Sequence, residues 1–232
     1  MLRRIVVAAA IAGFLAGLLL TAGQQFRITA LIRTAEVLDN AGMSARGHEH
    51  REEITKAWRP HDDRQRLIAT TVANVILAVG YSLLLSAGLT LRRQSGWLPG
   101  LGWGMAGFVV FFAAPAMGLP PDLPGAPTAA LSDRVTWWCF TVACTGAAFW
   151  LVFFGTHRRW RLLGLTLLVI PHFFGAPEAG LHEADVTSDL MHEFAVQATF
   201  VNLAFWLLLG VVTGALLGPE KELYSEPSSQ PQ

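Results

Sequence analysis

The sequence predicts an all-α, polytopic membrane helix bundle of about six transmembrane helices, the fifth of them short. Three observations carry that reading. Of the 232 residues, 53% are hydrophobic and only 15% are charged, against roughly 25% charged in a soluble domain. Five runs, at residues 5–23, 67–91, 98–119, 135–156 and 194–218, contain no Asp, Glu, Lys, Arg or His. Each is about as long as the roughly 20 apolar residues that a spanning helix needs. The remaining polar residues gather between these runs, and 17 Lys+Arg balance 17 Asp+Glu. No basic field therefore points to nucleic acid.

Arg3 and Arg4 precede the first run. A secretory signal cleaved near Thr21-Ala22-Gly23 is the alternative. The run is long for a signal core, and Ala9, Gly13 and Gly17 recur every four residues, a small face that lets another helix come close. It is read as an uncleaved span. Residues 24–66 form the one long loop, expected to be extracytoplasmic. Phe26, Ile28, Leu31, Ile32, Ala35 and Leu38 keep a helical period into it, so the first helix continues beyond the bilayer. Asn40-Ala41-Gly42 is expected to stop it. Glu52 and Lys56, four apart, support a short exposed helix ended before Pro60.

Arg92 and Arg93 follow the second run, and "GLPPDLPGAPTAALSDR" follows the third, where four prolines exclude a regular helix. Arg158, Arg159 and Arg161 follow the fourth. Next come residues 162–174, thirteen clearly apolar positions interrupted by Pro171 and His172. A short span extended to Ala179, a half-helix and a re-entrant segment all fit; the segment is read as a span. Residues 1–218 then form one integral membrane domain, and the polar stretch 219–232 is expected to be a disordered cytoplasmic tail. Cys139 and Cys144, in an apolar run and on different helix faces, read as buried free thiols rather than a metal pair.

Six crossings from a cytoplasmic N-terminus put Arg3, Arg4, Arg92, Arg93, Arg158, Arg159, Arg161 and Lys221 on one side, as the positive-inside rule requires. Both termini are then cytoplasmic. The other side receives His48, His50, His61, His172, His182 and His192.

The densest chemistry lies in "PHFFGAPEAGLHEADVTSDLMHE", residues 171–193, with three histidines and five carboxylates and no Lys or Arg. If its second half is helical and runs into the last span, His182, Asp185, Asp189 and His192 share a face. Imidazole with carboxylate suits a borderline divalent cation such as Co2+, Ni2+ or Zn2+. A solvated, acidic helix N-terminus is the plain alternative. His48-Glu49-His50 is a second candidate, because residues two apart on an extended segment point the same way. His172, ionisable and just after a proline in a span, is a third; a neutral imidazole bonded to a neighbouring helix competes with it. Asn74, Gln197 and Asn202 read as interhelical hydrogen-bonders. Trp97, Trp103, Trp137, Trp138, Trp150 and Trp160 read as interface anchors and packing. The chain has no G-x-x-x-x-G-K-[ST], no H-E-x-x-H and no G-x-S-x-G, so neither nucleotide hydrolysis nor another enzymatic activity is expected.

Taken in order, "GHEH", "AWRPHDDRQRLIATTVANVILAVGYSLLL", "GLPPDLPGA", "RVTWW" and "PHFFGAPE" resemble the CbtA family, predicted cobalt transporter subunits. The pieces cover nearly the whole chain. The family often has Asp-Gly after its Trp-x-Pro; here the residues are His61-Asp62-Asp63. The resemblance implies a bacterial inner-membrane protein for cobalt uptake, often under cobalamin control. It also implies a partner, a small single-span subunit with a His-rich terminus (CbtB-like). By motif position it carries over His48, His50, Pro171, His172 and Glu178. The expected function is uptake of a divalent cation, with Co2+ (or Ni2+ or Zn2+) as the transported ion and no permanently bound cofactor. Two rivals remain: a subunit that captures metal or scaffolds a separate permease, and an intramembrane zinc enzyme, which would need an open coordination site and a general base.

Overall fold

A computed structural model of the chain describes residues 2–46, 63–123, 126, 128–177 and 188–218. Among these every regular element is a helix. In order they are α1 (Leu2–Gly23), α2 (Thr29–Arg46), α3 (Asp63–Leu91), α4 (Trp97–Phe108), α5 (Ala114–Ala116), α6 (Leu131–Phe154), α7 (Arg158–Phe174) and α8 (Ser188–Leu216). Five stretches are long and apolar enough to cross a membrane: Leu2–Val37, Asp63–Leu91, Trp97–Ala116, Leu131–Phe154 and Ser188–Leu216. They correspond to the five charge-free runs. The chain is a helical membrane bundle. Its perimeter is apolar, with Ile76, Phe200, Val169 and Leu84 all exposed, as lipid contact allows.

Two π-helical turns interrupt otherwise continuous helices. Gln24–Ile28 joins α1 to α2, and Val109–Ala113 joins α4 to α5. At each the amide bonds five residues back, Thr29 to Gln24 and Ala114 to Val109. The second turn has a covalent cause. Pro115 lacks an N–H, and its ring would press on the carbonyl four residues earlier, Phe111. Widening the helix just before it removes that conflict. The same turn places Phe111 against Trp206 at 5.6 Å, nearly parallel, and against Tyr81 at 4.8 Å.

The interior is built from small residues. Ala9, Ala12 and Ala16 are fully buried on α1, and Gly13 and Gly17 bring α1 onto α3. A Cβ on Gly13 would stand 2.6 Å from the Val79 α-carbon, and one on Gly17 2.7 Å from that of Val75. The four-residue repeat in α1 is therefore a contact face, as its spacing predicts. A second such face joins α4 to α8. Gly100 and Gly104 lie backbone to backbone against Gly210 and Gly214, and the Gly96 amide donates to the Gly214 carbonyl at 2.8 Å. α1, α3, α4 and α8 form the core, with Phe205, Trp206 and Leu209 at its centre. The α6–α7 hairpin is peripheral: α7 packs chiefly on α6.

Three expectations change. The first helix does not stop at Asn40-Ala41-Gly42 but runs through it to Arg46; one Asn and one Gly cost a helix interior only about 1 kcal/mol or less each. The cysteines are free, but Cys139 is exposed on the perimeter and Cys144 only half-buried, because in a bilayer an apolar thiol can face lipid. Asn202 bonds within its own helix, its amide donating to the Ala198 carbonyl at 2.9 Å, rather than across helices. The expected helix before Pro60 and the tail 219–232 lie outside the described residues.

Candidate metal site at one end of the bundle

The two ends of the bundle are chemically different. At one end guanidinium groups cap helix C-termini. Arg4 donates to the Leu216 carbonyl at 3.4 Å and to that of Gly218, and Arg92 donates to the Phe153 carbonyl at 2.8 Å. Cations suit the negative end of a helix dipole. Arg4 also fixes the start of α1 and the end of α8 at the same end. Arg158, Arg159 and Arg161 open α7 there.

The opposite end gathers the C-terminus of α7, the N-termini of α3, α6 and α8, and all of α2. Two exposed ion pairs tie α2 to α3: Arg33 to Asp63 at 2.8 Å and Arg66 to Glu36 at 3.0 Å. The proline-rich connection after α5 crosses this end. Its Gly118 packs so tightly on the Trp137 ring that a Cβ would clash, and Ala176 lies beside it. Its Leu123 is buried with Ile28, Ala35, Phe194 and Ala198. The connection thus links the α6–α7 hairpin to α2 and to the core helix α8.

α7 is one continuous helix of 17 residues, about 25 Å long, slightly less than the roughly 30 Å hydrocarbon layer. It is unbroken, and it is not among the five helices long and apolar enough to cross a membrane. Only Gly164 and Pro171 are buried on it. Gly164 lets it approach α6, where a Cβ would stand 2.9 Å from the Ala148 carbonyl. Pro171 sits in the last turn and has no N–H to give to Leu167. Gly175, at φ 78°, ends the helix, and its amide returns to the Pro171 carbonyl at 3.1 Å. A positive φ of that size is cheap for glycine alone.

His172 is half-buried in this last turn. Its ring meets Trp137 edge to face, with centroids 6.1 Å apart. Trp137 is 7% exposed, and its indole N–H has no hydrogen-bond partner among the described residues. Carbonyls at the end of α7 add the negative end of the helix dipole beside the imidazole. Asp189 and His192 lie on the first turns of α8, three residues apart and both exposed, so they share a helix face. His48, His50, Glu178, His182 and Asp185 lie outside the described residues. Among the described residues no three His, Cys, Asp or Glu side chains come together as a metal site. His172, Asp189 and His192 are therefore at one end of the bundle without forming a ligand set among themselves.

Two features of this end have partners that spacing does not identify. Asp122, in the proline-rich connection, pairs with Arg134 at 2.6 Å, and both side chains are partly buried. Burial pushes the Asp122 carboxyl above its ordinary range, while the Arg134 guanidinium pulls it part of the way back. An Asp-Arg pair twelve residues apart across two prolines carries no spacing signal. The other feature is a buried polar cluster beneath the first π-helical turn. Asn74 donates to the Thr21 hydroxyl at 3.0 Å and to the Gln24 side-chain oxygen at 2.7 Å, and Thr21 donates to the Gly17 carbonyl at 3.0 Å. Asn74 is thus an interhelical hydrogen-bonder. Deeper in the core, Ser82 and Thr213 bond at 2.7 Å.

A bundle of apolar helices with a cationic end and a histidine-bearing end defines a polytopic helical membrane protein. The chain belongs to the CbtA family: the family model described as "Probable cobalt transporter subunit (CbtA)" matches residues 2–218. No curated protein and no solved structure shows significant similarity to it.

Proposed function

We propose that this protein takes up a divalent transition-metal cation, cobalt foremost, across the bacterial inner membrane, with both termini in the cytoplasm. The observation that carries the reading is membership of a cobalt transporter family over residues 2–218. The chemistry of the two ends supports its direction. Arginines at the end holding Arg4 and Arg92 favour the cytoplasm by the positive-inside rule, leaving His172, Asp189 and His192 outside. His48 and His50 collect the ion. His182, Asp185, Asp189 and His192, with Glu178, hold it at the mouth. His172 passes it inward. The membrane potential supplies about 2.3 kcal/mol per charge per 100 mV, so an inward cation needs no nucleotide. A small His-rich single-span subunit is the proposed partner, and no enzymatic step is assigned.

A second reading has support in the word "subunit" of the family description: the chain captures metal or scaffolds a separate permease. Radioactive cobalt accumulation separates the two. Cells lacking other cobalt importers express the chain alone, then His172→Ala, then the His182→Ala/His192→Ala pair, each checked for membrane insertion. Uptake that both variants lose supports a permease. Absence of uptake by the wild type alone, with restoration by the His-rich subunit, favours the subunit reading. No uptake of cobalt or nickel under either condition refutes both.

A further inference from the structure

Between α1, its π-helical turn and α8, an open groove of about 380 Å3 runs along the bilayer-facing perimeter. Leu19, Gly23, Phe200 and Ala204 form most of its wall, and Arg27 and Gln197 lie in the same lining. α1 rises toward the histidine-bearing end as its numbers increase, whereas α8 descends from that end. Arg27 and Gln197 therefore sit together at the outer end of the groove, and Leu19 and Ala204 together at the inner end. From Leu19 to Arg27 the groove is about 12 Å long. It is polar at the end where Arg27 lies, four residues past the charge-free run 5–23, and apolar at the other.

Two local features make it. Gly23 has no side chain where one would press on Val201, whose methyl carbon would stand 2.8 Å from a Cβ there. The π-helical turn Gln24–Ile28 inserts one residue before the helix resumes. Each residue of a helix turns the chain by about 100°, so that insertion sets where Arg27 points. Arg27 is exposed and pairs with no carboxylate among the described residues.

We infer that this groove binds one anionic phospholipid, its phosphate on the Arg27 guanidinium and the Gln197 amide, and one acyl chain along Leu19, Phe200 and Ala204. The occupant follows from place and charge. The groove opens to the bilayer, where lipid is the solvent, and its one unpaired charge is a cation at headgroup depth. Arginine binds a phosphate through charge-assisted hydrogen bonds. The inference rests on the bundle and not on the metal reading.

The test is native mass spectrometry of the full chain, purified in detergent and offered equal phosphatidylglycerol and phosphatidylcholine. The wild type retains one lipid with an about five-fold preference for phosphatidylglycerol, the scale one cation near a membrane surface confers. Arg27→Gln abolishes the preference. Ala204→Phe, which fills the exposed inner end, abolishes retention of both lipids. Both positions are exposed, and unchanged thermal unfolding without lipid confirms that the variants fold. Equal retention of both lipids by the wild type, or an undiminished preference in Arg27→Gln, overturns the inference. So does a Phe200→Cys variant that crosslinks to a second copy in membranes, since a protein then covers the groove.

Discussion

The contact between α4 and α8 makes a prediction in which the same substitution has opposite signs at different glycines. In Gly210→Ala the new Cβ would stand 2.7 Å from the Gly104 α-carbon and 2.8 Å from its nitrogen, and closer still to the Gly100 carbonyl. These are backbone atoms, so no side chain can turn aside and the helices must separate. Overpacking of this kind costs typically 1–3 kcal/mol. Separation also strains the Gly96–Gly214 backbone bond, and interhelical hydrogen bonds in membranes average about 0.6 kcal/mol with a maximum near 1.7. The expected destabilisation is about 2–4 kcal/mol. A Cβ on Gly102 in α4 or on Gly80 in α3 meets nothing within 4 Å, so Gly102→Ala and Gly80→Ala should stabilise by about 0.5–1 kcal/mol through helix propensity. Reversible unfolding in mixed micelles, followed by far-UV circular dichroism with increasing denaturing detergent, measures all three. The reasoning fails if Gly210→Ala matches the wild type, or if the three substitutions shift the midpoint in the same direction.

Three further outcomes follow from the packing. Asn74→Val removes both bonds to Thr21 and Gln24 and should cost about 1–2 kcal/mol in the same assay; a neutral result would show that these groups find other partners. Asp122 titrates above its unfolded value because of burial. Between the two values the folded chain binds more protons than the unfolded chain, so stability falls as pH rises through that window. Asp122→Asn should flatten that slope, and an unchanged slope assigns it to another group. Reporters fused to the two termini should read the same side of the membrane, because Arg4 bonds the carbonyls that end α8; opposite readings would break the arrangement of α1 beside α8.

Much of the fold is legible in the sequence because the bilayer makes strong demands on it. Charge-free runs of spanning length have few alternatives, and each of the five became a helix. The α1 face was legible from Ala9, Gly13 and Gly17, whose spacing is local. The α4–α8 face was not, although Gly96, Gly100 and Gly104, and Gly210 and Gly214, have the same four-residue spacing. What spacing cannot show is which face meets which, since the two partners lie more than a hundred residues apart. The helix running past Gly42 and the π-helical turn before Pro115 were hidden for a different reason: both depend on small differences between competing backbone terms.

The candidate site is read from the sequence as a pattern of residue types. Of the four residues whose spacing predicts one face, Asp189 and His192 lie in α8, three apart, and His182 and Asp185 lie outside the described residues. Nothing in the spacing brings His172 to them, because α7 reaches the core through α6 and the proline-rich connection rather than by direct packing. That path runs from His172 to Trp137, from Trp137 to Gly118, and from Leu123 to Phe194 on α8. Each contact is between residues far apart in sequence, and none is an ion pair. The connection, through its described residues Gly118 and Leu123, is thus the element that relates the hairpin's His172 to His192 of the last span.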